Sequence, residues 1–186
     1  MAKARAITGL DAQAPLAINA RLIAKTRLEE LYQWENAVDS ADNTRELHDM
    51  RIAAKRLRYT FEVFEDVFPA ASKAIVGELT RLQDELGELH DSDVMIALLQ
   101  MRLANQNSDA GAVPASHNEK ALVPADMAAY VLDPDAAPAE EERDGLEAFL
   151  RQQERLRTRR YSAFRRHWRQ LQKRYFRREV LDMLGA

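Results

Sequence analysis

Apolar residues fall at helical spacing along most of the chain. Leu16, Leu22, Ile23, Leu28, Leu31 and Trp34 predict a first helix that opens at Pro15, a good first-turn residue, and runs to about Val38. The polar stretch from Asp39 to Asn43 predicts a turn. Asn43, followed by Glu46 three residues later, has the form of a capping box for a second helix, Thr44 to Phe68, which Pro69 ends. A third helix is expected over Ala71 to Asn105, with Leu79, Leu82, Leu86 and Leu89 on one stripe. A fourth starts near Glu140 and continues toward Leu184, with Leu146, Phe149, Leu150, Leu156, Phe164, Trp168, Leu171 and Tyr175 on one side. At about 1.5 Å per residue it would span roughly 60 Å, so it should bend, break near residues 172–178, or overhang. No stretch alternates as a strand would. The expected fold class is all-α: an up-and-down four-helix bundle with a long acidic loop before the last helix.

That loop, residues 106–142, holds four of the six prolines and eight acids against one base, Lys120. It reads as a Pro/Ala-rich insertion that could fold over a basic groove and compete with its ligand, though a solvated insertion is the simpler expectation. Residues 1–13 read as a flexible leader and residues 14–186 as one helical domain. The absence of Cys excludes disulfides, thiolate metal sites and cysteine nucleophiles, and suits a reducing cytoplasm. No apolar run reaches membrane-span length, so no membrane partner is expected.

Charge changes the picture more than composition does. The net charge is −3, yet Arg143 to Arg178 carries 13 bases against three acids, a balance of +10. A chain so polarised should present one strongly positive surface, so the near-neutral average does not exclude a polyanion binder. At about 100° per residue, Met50, Leu57, Phe61, Phe64 and Phe68 form the core side of helix two, and His48, Arg51, Lys55, Arg58 and Tyr59 a neighbouring side. Glu62 can pair with Arg58, and Arg56 points elsewhere. Such a rail is either a ladder of donors for a repeating anion or a solvated face held by salt bridges.

The segment Leu47-His48-Asp49-Met50-Arg51-Ile52-Ala53-Ala54-Lys55-Arg56-Leu57-Arg58-Tyr59, with Phe61, Glu62 and Phe64, resembles the signature of the CHAD family, the conserved histidine α-helical domain. Leu82-Gln83-Asp84-Glu85-Leu86-Gly87-Glu88-Leu89-His90-Asp91-Ser92-Asp93-Val94 is similar to its second signature, and the ending from Phe164 to Leu181 to its tail. The resemblance implies a module that binds inorganic polyphosphate and associates with polyphosphate granules. By motif, it makes His48, Arg51, Lys55, Arg56 and Arg58 the binding candidates. The signature occurs once here, where the family pattern has two bundles flanking a basic groove; a homodimer would supply the second.

Other candidates come from the residues themselves. Tyr59 can donate its hydroxyl to an anion. Arg21 and Lys25 lie one turn apart on helix one. Gln153, Arg157, Arg160 and His167 interrupt the apolar side of helix four, so that seam either pairs with acids of helices one and three or opens onto a polar groove, adding Arg157 and Arg160 to the site. Asp84 and Asp91 could orient a basic side chain, and Gly87 between them permits close helix approach. Met50, Met95 and Met101 read as core filler. His90 and Asp93 lack the companions of a helical metal site, so no metal and no cofactor is expected. An anion ladder without nucleophile or acid–base pair reads as a non-catalytic binding module, not an enzyme. The alternatives are a general polyanion or nucleic-acid binder, and a dimerising helical protein that grips an acidic protein partner.

Overall fold

A computed structural model describes residues 3–105, 123 and 140–185. Among them the chain forms five α-helices and no strand: α1, Leu16–Tyr32; α2, Thr44–Val63; α3, Ser72–Asn105; α4, Glu140–Lys173; and α5, Phe176–Met183. A 3₁₀ turn covers Glu35–Asp39. The chain divides into two compact units, Met1–Gly87 with Ser162–Ala186, and Glu88–Tyr161.

The first unit holds the main core. α1 packs on α2 through Ala20, Ala24, Leu28 and Leu31 against a face bearing Ala53, Ala54, Leu57 and Phe61. The alanines allow the two helices to approach closely. Leu28 and Leu31 of the expected stripe are buried, but Leu16 is exposed, and Ala20 and Ala24 complete the buried side. Leu79, Leu82 and Leu86 of α3 and Phe164, Trp168 and Leu171 of α4 are fully buried. Each such side chain contributes about 1.5–3 kcal/mol relative to exposure. Trp168 lies against Tyr32, ring centroids 5.3 Å apart.

Two expected helix ends shift. α1 stops at Tyr32, and the residues up to Asp39 make the 3₁₀ turn that buries Ala37 and Val38. Asn43 does not cap α2; its side-chain amide donates instead to the Ala37 carbonyl at 3.1 Å, closing that turn. α2 stops at Val63, and Phe68 folds back onto Phe61 with ring centroids 4.9 Å apart. Pro69 disfavours helical backbone at Phe68, which suits this turn. The long last helix breaks where its length suggested. Tyr175 takes the left-handed region at φ 59°, so its side chain is thrown out to 74% exposure. Phe176 and Val180 fill the core in its place.

The described part of the expected leader, residues 3–13, carries defined contacts to α1. The Arg5 guanidinium reaches Glu29 at 3.1 Å, the Arg5 amide donates to Glu30, and Arg27 donates to the Arg5 carbonyl at 3.0 Å. Asn19 exchanges hydrogen bonds with the Asp11 backbone.

The second unit packs the later turns of α3 with the first part of α4. Its buried residues include Leu89, Ala97, Leu99 and Met101, with Val123 against Ala97 and Met101. Met95, expected in a core, is exposed. The expected acidic loop lies outside the described residues except at Val123 and at its end, where residues 140–142 already belong to α4. His117 also lies outside them.

Candidate functional site

The basic side of α2 forms as its periodicity requires. His48, Arg51, Lys55, Arg56 and Arg58 are half-buried and Tyr59 is 45% exposed. Lys55 Nζ stands 5.4 Å and the Arg58 guanidinium carbon 4.9 Å from the Tyr59 ring centroid, so the ring holds two cations on one surface. Arg58 Nε is 3.5 Å from Glu62, the i, i+4 pair that the sequence suggested.

Arg51 is placed differently. Its guanidinium lies over Gly87 of α3: a methyl group at that glycine would stand 3.3 Å from Arg51 Nε and 3.8 Å from Nη2. Gly87 therefore does allow close approach, with a side chain filling the space. Arg51 Nε is shielded from solvent and makes no hydrogen bond there. Neither Arg51 nor Lys55 has a carboxylate partner among the described residues. A guanidinium partly stripped of water and left without an anion costs free energy, which an incoming anion can offset.

The other candidates separate from this face. Arg56 turns toward Glu30, whose carboxylate is 1% exposed; Arg56 Nη1 stands 4.0 Å and Arg27 Nη1 2.8 Å from it. Arg21 and Lys25 are exposed on α1. Arg157 pairs with the buried Asp93. Arg160 reaches Glu88 Oε2 at 3.3 Å, the Glu88 carbonyl at 3.1 Å and Ser92 Oγ at 2.6 Å. Of the two outcomes for the α4 seam, pairing with acids of α3 is the one found. Burial holds the Asp93 carboxyl above its usual range, and the hydrogen bond and charge of Arg157 only partly reverse that.

Asp84 and Asp91, expected to orient a basic side chain, are exposed and form no ion pair among the described residues. Glu78, Glu85, Glu88 and Asp93 take that role. His167, 3% exposed, bridges Glu85 at 2.7 Å from Nδ1 and Glu78 at 3.0 Å from Nε2. Arg174 adds a contact to Glu78 at 2.6 Å. Both imidazole nitrogens face carboxylate oxygens, so the charged ring, which donates twice, fits this site best. The one signal for these four acids was spacing: seven residues separate Glu78 from Glu85, two turns on one face of α3.

The CHAD domain family model matches residues 2–100, just over half the sequence. The chain belongs to the CHAD domain family. The matched span holds the whole basic face of α2 and the Gly87 turn of α3 that receives Arg51. It also includes most of the segment read as a leader, whose contacts to α1 are described above. No curated protein and no solved structure matches the chain.

Among the described residues no helix is long and apolar enough to cross a membrane, and no group of three or more His, Cys, Asp or Glu could hold a metal ion.

Proposed function

We propose that this CHAD domain is a non-catalytic binding module for inorganic polyphosphate, and that the α2 face receives it. One observation carries the reading: Arg51 and Lys55, a turn apart, lack carboxylate partners among the described residues while Arg51 is half-buried against Gly87. Arg51 offers a planar fork to phosphate oxygens, and Lys55 a point charge. His48, Arg58 and Tyr59 flank them. Arg56, Arg157 and Arg160 have acidic partners, and we assign them to holding helices together. The family's two-bundle groove would be completed by a second copy of the chain, and a cytoplasmic protein of this kind would gather at polyphosphate granules.

The face favours a phosphate chain over nucleic acid because Tyr59 is its one exposed aromatic, whereas single-strand sites use several rings for stacking. The test is a competition titration. Labelled long-chain polyphosphate is bound near physiological salt and challenged with single-stranded DNA at equal phosphate. Preference for polyphosphate is expected, with a light-scattering mass that doubles if two copies share a chain. R51Q/K55Q should lower affinity about tenfold or more while retaining its helical circular dichroism. Equal competition by DNA would reduce the protein to a general polyanion binder, and a folded R51Q/K55Q protein with full affinity would remove α2 as the site.

A further inference from the structure

α4 sorts its arginines. On the side facing α3, Arg157 and Arg160 are engaged by Asp93, Glu88 and Ser92. On the opposite side, within the second compact unit, Arg151, Arg155 and Arg159 follow one another at i, i+4 and i+8, each step rising roughly 6 Å along the helix. Beside them runs the uncharged row Ala148, Gln152 and Leu156. The two rows border an open groove of about 410 Å³. Arg151 is 3.7 Å from Glu147 at the N-terminal end of the row, and Arg155 and Arg159 are exposed with no acidic partner among the described residues.

Several arginines elsewhere have a carboxylate one turn away: Arg58 with Glu62, Arg81 with Glu85, Arg143 with Glu147. In the Arg151–Arg159 row the neighbour one turn away is another arginine. Like charges at that spacing destabilise a helix, and beyond the Arg151–Glu147 pair no acidic partner among the described residues offsets the cost at Arg155 and Arg159. Three guanidinium forks along one edge of a groove suit an extended ligand that repeats its negative charge, and the short uncharged row leaves room for it to lie against the helix.

We propose that the Arg151–Arg155–Arg159 groove is a second binding site for a linear phosphate chain, built from residues wholly distinct from those of α2. It takes its ligand class from the proposed function. The experiment uses the full chain and long-chain polyphosphate as the probe, titrated over a range of salt for the wild type, R155Q/R159Q, R51Q/K55Q and all four substitutions together. R155Q/R159Q should bind several-fold more weakly, and log K should fall less steeply with log salt, by roughly 0.7–0.9 for each phosphate that the variant no longer neutralises. Its urea midpoint should stay close to the wild type, since relief of repulsion along α4 offsets the small loss of helix propensity; a purely structural role predicts a clearly lower midpoint. Weaker binding and a shallower slope in R155Q/R159Q, or residual binding in R51Q/K55Q that the fourfold variant lacks, supports the second site. Weakening confined to R51Q/K55Q overturns it and leaves the proposed function standing. A wild type that does not bind polyphosphate overturns both.

Discussion

His167 shows what a single titratable residue contributes here. Burial pulls its pKa down, but the carboxylates of Glu85 and Glu78 outweigh burial and hold the imidazole above its ordinary 6.5; Arg81 opposes them from nearby. Burial raises Glu78, yet His167 and Arg174 leave it below its ordinary 4.5. Arg174 is itself shared with Glu179 at 3.2 Å. The signs give a window. A histidine with a raised folded pKa contributes stability fully below about 6.5 and loses it as pH rises through the folded value; Glu78 contributes above about 4.5 and loses it as pH falls through its own. Thermal melts between pH 5 and 9 should show the wild type losing stability relative to H167Q as pH climbs above 6.5. Parallel profiles would show that the imidazole titrates alike in the folded and unfolded chain, so that the two carboxylates give it no added stability. Such partnerships were only half legible in the sequence. His167 and Arg157 stood out as polar interruptions of an apolar side, but their acids were not identified, since carboxylates on α3 recur every few residues and only packing selects among them.

At the scale of the element, the informative feature is the join between α4 and α5. The apolar positions of the last helix, though interrupted by Arg157 and His167, kept their spacing through Tyr175, and length alone argued for a break. What periodicity could not show is that one residue would adopt left-handed backbone, moving the core position from Tyr175 to Phe176. A non-glycine residue there costs about 1–2 kcal/mol. Tyr175→Gly should therefore stabilise the protein by about 0.5–1 kcal/mol after glycine's greater freedom in the unfolded chain is subtracted. Urea unfolding monitored by circular dichroism measures it; an unchanged or lower midpoint would mean that the ring's contacts beside Gln172 and Arg178 outweigh the backbone strain. The helix order, the α3 leucine stripe and the α2 basic face were all readable, because each depends only on local periodicity. The α1 stripe was readable only at Leu28 and Leu31; Ala20 and Ala24 were missed, because alanine carries so little hydrophobic signal that a buried position filled by it looks like exposed surface.

Over the whole molecule, the main core draws on segments far apart in the sequence. Residues up to Gly87 provide α1, α2 and the first turns of α3, and the remainder of that core comes from Phe164, Trp168, Leu171, Phe176 and Val180. The span matched to the CHAD family, residues 2–100, thus omits five of its large side chains. A fragment ending at residue 161 should lose cooperative urea unfolding, whereas one extended to residue 185 should keep it; a sharp transition in the shorter fragment would show that α1, α2 and α3 suffice. The same arrangement bears on synthesis. As the chain leaves the ribosome, Leu79, Leu82 and Leu86 emerge well before the aromatic residues that cover them, and more than seventy intervening residues must be made first. Vectorial folding cannot close this core. The nascent chain must therefore carry the leucine stripe without its aromatic partners until Phe164, Trp168 and Phe176 have been made.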